Sequence, residues 1–310
     1  MPAEYRLLTY RSGNEKPQAG VLVGERVFPV RDLLAAGDGL DPSSVLDLLQ
    51  SWSTVRDQLR VAAQGVSAGQ GLALADLTLD APILYPGAVF ATGGNYPDHL
   101  DEMANKYGRP PLTKHKVAEP FFTLKTSAHS AVGHGAPIRY PRFTSKLDYE
   151  AEIGVVIGAF VDNISEDRAM DTIAGYLIIN DLSARDYARR ETLPNQMTHD
   201  WFGQKCFRDS MPMGPWLTPA EFVPDPYDMT IKLWVNGELR QDGSSRNMVY
   251  PLSEQIAYLS RHLTLRPADV ISTGCPSGVG VAQDKFLKPG DEMRVEVSHC
   301  GVLVNRVVAS

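Results

Sequence analysis

Short apolar runs separated by glycine and proline turns dominate the chain. Alternation with a period of two outweighs helical spacing over most of its length. Residues 5–10, 20–23 and 26–30 read as strands, with Gly24-Glu25 as the hairpin turn between the last two. A helix is predicted over 43–63: Asp41-Pro42-Ser43-Ser44 supplies a start, and Val45, Leu48, Leu49, Trp52, Val55 and Leu59 recur at helical spacing. The Gly- and Ser-rich stretch 64–71 reads as a linker. It sets a small α/β unit, residues 1–75, apart from a larger unit, residues 76–310. The larger unit opens with a strand at 86–92 and continues as short strands between turns, with helices predicted at 165–174 and 252–262. The expected fold class is α+β and β-rich: a mixed β-sandwich or roll with a small N-terminal α/β domain.

One strand breaks the apolar pattern. In Leu147-Asp148-Tyr149-Glu150-Ala151-Glu152-Ile153-Gly154-Val155-Val156-Ile157 the branched run marks a strand, yet Glu150 and Glu152 share one face of it. Carboxylates about 7 Å apart on one face repel unless a cation lies between them. A hard divalent ion with oxygen ligands meets that requirement, and so do two solvated glutamates on an exposed edge. The next apolar strand, 175–180, runs into Asp181, which suits a third ligand or a strand-end cap. His99 and Glu102 follow Pro97-Asp98, a helix start, and three-residue spacing puts them on one helical face. A carboxylate beside an imidazole fixes its tautomer and raises its basicity, as a general base acting on water requires. A surface helix with a chance His–Glu pair has the same spacing. Lys205 and Arg185 are candidate cations. Lys205 is open between a site cation and a solvated lysine. Arg185 is open between a forked contact to a substrate carboxylate and an ion pair with Asp186 or Asp148.

Composition removes several function classes. With 310 residues, a net charge of −7 and no basic cluster, no nucleic-acid surface is expected. No apolar run reaches about 18 residues and the N-terminus lacks the regions of a signal peptide. No membrane contact is expected, and a cytoplasmic location is. Cys206, Cys275 and Cys300 show no C-x-x-C spacing, which fits a reducing compartment. Zinc is not expected at the carboxylate trio, because no cysteine and no second histidine accompanies it. The glycine-rich turn 273–280 lacks the G-K-[ST] ending of a phosphate loop.

Several motifs recur in order: Gly94-Asn95-Tyr96-Pro97-Asp98-His99-Leu100-Asp101-Glu102, Asp148-Tyr149-Glu150-Ala151-Glu152, Asn180-Asp181-Leu182-Ser183-Ala184-Arg185-Asp186, Gly203-Gln204-Lys205-Cys206-Phe207, and residues 269–280. From about residue 80 onward the chain resembles the fumarylacetoacetate hydrolase family. The resemblance implies that family's fold, with Glu150, Glu152 and Asp181 as ligands of Mg²⁺ or Mn²⁺, Ca²⁺ also being admissible. It implies that His99 and Glu102 are the water-activating pair of hydrolytic members. Lys205 would hold the substrate or its developing enolate, and Thr273 would lie by the substrate. The family's turn usually reads T-G-T-P, and Cys275 replaces its second threonine here. Residues 106–116 are expected to act as a lid. The implied partner is a small 2-oxo acid, and a homodimer is expected. Three reactions fit: hydrolysis of a carbon–carbon bond in a 2,4-dioxo acid such as an acylpyruvate or fumarylpyruvate, decarboxylation of an oxaloacetate-like acid, and tautomerisation or isomerisation of a 2-hydroxyhepta-2,4-diene-1,7-dioate-like acid in aromatic compound catabolism. His99 and Glu102 favour hydrolysis, the path that needs an activated water. A catalytically idle binding protein would be expected to lack a ligand or the dyad, and all these residues are present.

Overall fold

Strand Ala151–Ile157 is buried at every position. Ala151, Ile153, Val155 and Ile157 join one apolar cluster and Val156 joins another, as alternation across a strand requires. A strand covered on both faces reads as a near-continuous apolar run, which is how this one reads. The computed structural model describes residues 4–34, 40–67, 69–110, 119–190 and 199–310, and sets this strand inside a 12-stranded sheet. Its neighbours are Ile173–Asn180 and Val270–Ser272, both antiparallel. Beyond Val270–Ser272 come Val89–Gly93, parallel to it, and then Phe121–Lys125 at the sheet edge. In the other direction Met211–Pro219 is followed by the N-terminal strands Arg6–Arg11, Gln18–Val23 and Arg26–Pro29.

A five-stranded sheet packs on one side. Ile231, Leu233, Val295 and Val297 from its strands Thr230–Val235 and Glu292–Val297 share a core with Ile153 and Val155. Helices Val45–Gln50 and Trp52–Gly65 cover the other side, where Leu48, Leu49, Val55 and Leu59 pack with Val156, Leu177 and Ile179. The architecture is therefore strand-rich α+β with few helices, as expected. No helix among the described residues is long and apolar enough to cross a membrane.

The helix expected over 43–63 is two helices. Ser51 leaves helical geometry at φ −109° and ψ 22° and separates Val45–Gln50 from Trp52–Gly65. The helix expected over 165–174 is shorter, Glu166–Ala169 with a 3₁₀ turn at Met170–Thr172. Ile173 and Ala174 belong instead to strand Ile173–Asn180, where Ile173 pairs with Ile157. Helix Leu252–His262 matches the expectation at both ends. Residues 111–118, which hold most of the expected lid, lie outside the described residues; 106 and 107 are the last turn of helix Pro97–Tyr107.

Candidate active site

Main-chain bonds between neighbouring strands bring three carboxylates together. Glu152 lies in strand Ala151–Ile157, and Glu150 precedes that strand with the same facing. The Asp181 N–H donates to Glu150 O at 2.8 Å, and the Glu150 N–H donates to Asn180 Oδ1 at 3.0 Å. Asp181 is thereby held at the end of the adjacent strand, against Glu150. All three are buried, and one ligand oxygen from each lies within 4.8 Å of the others.

Cations surround the trio. Lys205 Nζ sits 2.5 Å from Glu150 Oε2 and 2.5 Å from Asp181 Oδ2. Arg185 bridges outward, Nη2 to Glu150 Oε1 at 2.5 Å and Nε to Asp148 Oδ2 at 2.7 Å. Lys125 Nζ, also buried, approaches Asp181 Oδ1 to 2.6 Å and donates to the carbonyls of Leu182 and Ser210. That approach is an ion pair by distance but is not aligned as a hydrogen bond, so Asp181 Oδ1 lacks an aligned donor. Burial opposes ionisation of Glu150, but Lys205 and Arg185 outweigh it and hold the carboxyl well below the usual range. Glu152 goes the other way. Burial, then the charges of Asp181 and Glu150, push it up to about 8, although Ser272 Oγ and the Gly274 N–H both donate to its Oε2. Burial would lower Lys205, yet Asp181 and Glu150 raise it; Lys125 is lowered, chiefly by burial. Three buried carboxylates, one with an undirected oxygen and one whose ionised form is disfavoured, form an all-oxygen donor set that fits a hard divalent cation.

The dyad stands beside them. Pro97 opens helix Pro97–Tyr107, and His99 Nδ1 lies 2.8 Å from Glu102 Oε1. Glu102 Oε2 accepts from the Gly278 N–H at 2.9 Å, and Asp98 accepts from Ser277 N–H and Oγ. The helix start is thus tied to the glycine-rich turn, which Asn95 anchors through Thr273 O and Tyr250 N. A cavity of about 480 Å³ opens over both groups. Glu150, Glu152, Asp181, Arg185, Lys205 and His99 line one end, and Leu100, Met103, Phe121 and Trp201 supply an apolar wall.

Residues 88–308 match the family described as fumarylacetoacetate (FAA) hydrolase, C-terminal. The chain belongs to the fumarylacetoacetate hydrolase family. It is 35% identical over 259 residues to a 4-hydroxyphenylacetate degradation bifunctional isomerase/decarboxylase from Salmonella dublin, a match to 81% of this chain and 55% of that protein. The chain therefore spans about half the length of that relative. It is 34% identical over 271 residues to a mitochondrial oxaloacetate tautomerase from Xenopus laevis, covering 86% of this chain and 80% of that one. Maleylpyruvate hydrolase from a Sphingobium species, crystallised with manganese(II) and pyruvate, superposes with a TM-score of 0.76 at 25% identity, over 98% of this chain and 99% of that one. Fumarylacetoacetate hydrolase family enzymes so similar to this chain thus differ in the reaction they catalyse.

Glu102 and Thr273 are the expected site residues that do not line the cavity, and Thr273 is bonded to the neighbouring strand. Its hydroxyl donates to Ile153 O at 3.0 Å, the residue is fully buried, and it does not line the cavity. Ser272 Oγ and the Gly274 N–H bond to Glu152, and Cys275, past the end of strand Val270–Ser272, reaches the cavity. Arg185 is paired with Asp148 and Glu150, whereas Asp186 holds Thr144 and Ser145. Lys125 and Ser272, which no motif singles out, hold Asp181 and Glu152. His199 borders the cavity with its ring stacked on Trp201.

Proposed function

We propose that this family member hydrolyses a carbon–carbon bond of a 2,4-dioxo acid, an acylpyruvate- or fumarylpyruvate-like β-diketone. The observation that carries the reading is the His99–Glu102 pair, hydrogen-bonded at 2.8 Å and anchored to Gly278, beside the three carboxylates. Glu150, Glu152 and Asp181 would hold a divalent cation, Mg²⁺ or Mn²⁺, which would supply Lewis acidity toward the 2-oxo acid head. With Nδ1–H donated to Glu102, His99 Nε2 accepts a proton from the water that attacks the C4 carbonyl. The C3–C4 bond then breaks, and its electron pair passes into the 2-oxo acid as an enolate. Lys205, whose ammonium form its carboxylate neighbours favour, stabilises that charge. Protonation at C3 releases the shorter 2-oxo acid together with a carboxylic acid. The apolar wall limits competing water. The active form is proposed to be a homodimer.

A second reading is decarboxylation, tautomerisation or isomerisation of an oxaloacetate-like or 2-hydroxyhepta-2,4-diene-1,7-dioate-like acid. It is favoured by relatives with those names at 34–35% identity, against 25% for the hydrolase. Product analysis separates the two. Protein loaded with Mg²⁺ or Mn²⁺ is expected to convert an acylpyruvate to pyruvate and a carboxylic acid, with EDTA abolishing turnover. Pyruvate and CO₂ from oxaloacetate, or enol–keto conversion alone, with no acylpyruvate cleavage, would replace the hydrolase reading with the second.

A further inference from the structure

A second set of donors meets beside the carboxylate trio. His99, Glu150 and Cys275 offer one nitrogen, one oxygen and one sulfur, all within 4.8 Å of one another. Cys275 is 3% exposed yet reaches the cavity, and its thiol makes no hydrogen bond among the described residues. His99 Nδ1 is committed to Glu102, whose other oxygen is held by Gly278, which leaves Nε2 as the available ring nitrogen. Orientation of an imidazole through its second nitrogen by a carboxylate is the arrangement that metal-ligating histidines use. The turn carrying Cys275 is fixed as well. Gly274 adopts φ +89°, a Cβ there would meet Asn95 at 2.7 Å, and its N–H is bonded to Glu152. Sulfur, imidazole and one carboxylate form a softer donor set than the trio, suited to Zn²⁺ or Cd²⁺ and poorly to Mg²⁺.

We propose that His99, Glu150 and Cys275 form a second cation site, selective for a thiophilic divalent ion, and that filling it inhibits the enzyme by occupying the imidazole needed to activate water. The inhibition rests on the hydrolase reading, whereas the binding site does not. Tetrahedral bonds of about 2.0–2.3 Å put donors roughly 3.5 Å apart, so side-chain rotation of about 1 Å closes the group. Glu150 now accepts from Arg185 and Lys205, and the ion displaces one of them. As the sulfur–metal bond forms, the thiol proton passes to buffer. Burial and the neighbouring Glu150 and Glu152 keep that proton on sulfur until then.

The test titrates Mg²⁺-loaded protein with Cd²⁺ while following the ultraviolet thiolate-to-cadmium charge-transfer band and turnover together. One saturable band is expected, with inhibition over the same concentrations; because Glu150 belongs to both donor sets, added Mg²⁺ shifts band and inhibition together. Cys275→Thr is expected to lose the band and to weaken inhibition, relative to its own uninhibited rate, by more than about tenfold. His99→Gln, which keeps the sulfur, is expected to weaken Cd²⁺ binding comparably, and it carries the test if the cysteine variant fails to fold. A band that persists in Cys275→Thr would assign the ion to Cys206 or Cys300 and overturn the site. Inhibition that Mg²⁺ relieves and that is unchanged in Cys275→Thr would move the ion to the carboxylate trio, with the same consequence. A Cys275-dependent band without inhibition would overturn the inhibitory role, and would remove His99 as the base while leaving the binding site standing.

Discussion

Glu152 is disfavoured as an anion by burial, Asp181 and Glu150, and is held in place by Ser272 and Gly274. Glu152→Gln keeps an acceptor for both donors and removes the charge. Turnover is expected to vanish and Mg²⁺ affinity to fall by at least about 100-fold, while the metal-free melting temperature stays level or rises. Titration calorimetry and a thermal scan in EDTA measure both; full activity after chelator treatment would exclude the residue as a ligand. His99→Ala is expected to slow acylpyruvate cleavage by about 10²–10⁴-fold and oxaloacetate decarboxylation far less. Equal losses in parallel assays would remove the reason for preferring hydrolysis. The trio was legible because charges interrupt apolar runs. Lys125 was not, since a strand ending F-F-T-L-K reads as finishing in a solvated lysine, and its partner Asp181 comes from a strand far along the chain.

Among elements, the join between helix Pro97–Tyr107 and the 273–280 turn decides whether the dyad is aimed. Gly278 sits at φ +105°, and a Cβ there would lie 1.9 Å from Arg240 O. Gly278→Ala must displace the turn and with it the N–H that holds Glu102. A stability loss of about 2 kcal/mol or more is expected from denaturant melts. In steady-state kinetics kcat should fall more than KM rises, because the pair acts on water and not on the acid's head. Periodicity located helix Leu252–His262 because its apolar spacing is uninterrupted. It ran through Ser51, where backbone geometry and not spacing makes the break. It overran at Ile173, where pairing with Ile157 overrides local propensity.

At the scale of the molecule, strand content was readable but sheet order was not, since pairing such as Leu7 with Leu217 joins segments that no local pattern links. We propose the division at residues 75 and 76 as one of chain organisation. Leu48, Leu49 and Leu59 cover Val156, Leu177 and Ile179, so melting the N-terminal unit would bare the central sheet. Near-ultraviolet and far-ultraviolet dichroism are expected to report one coincident transition; two separated midpoints would show independent units. The cavity has two ends of different origin. The Asp181 N–H bonded to Glu150 O and the Glu150 N–H bonded to the Asn180 side chain build the charged end, while Leu100, Phe121 and Trp201 supply the wall. Trp201→Ala or Phe121→Ala should therefore reorder kcat/KM among acids and leave Mg²⁺ affinity unchanged by calorimetry. Descent with modification can act on one end at a time: a lineage that recuts the wall acquires a new diet without having to reinvent its chemistry.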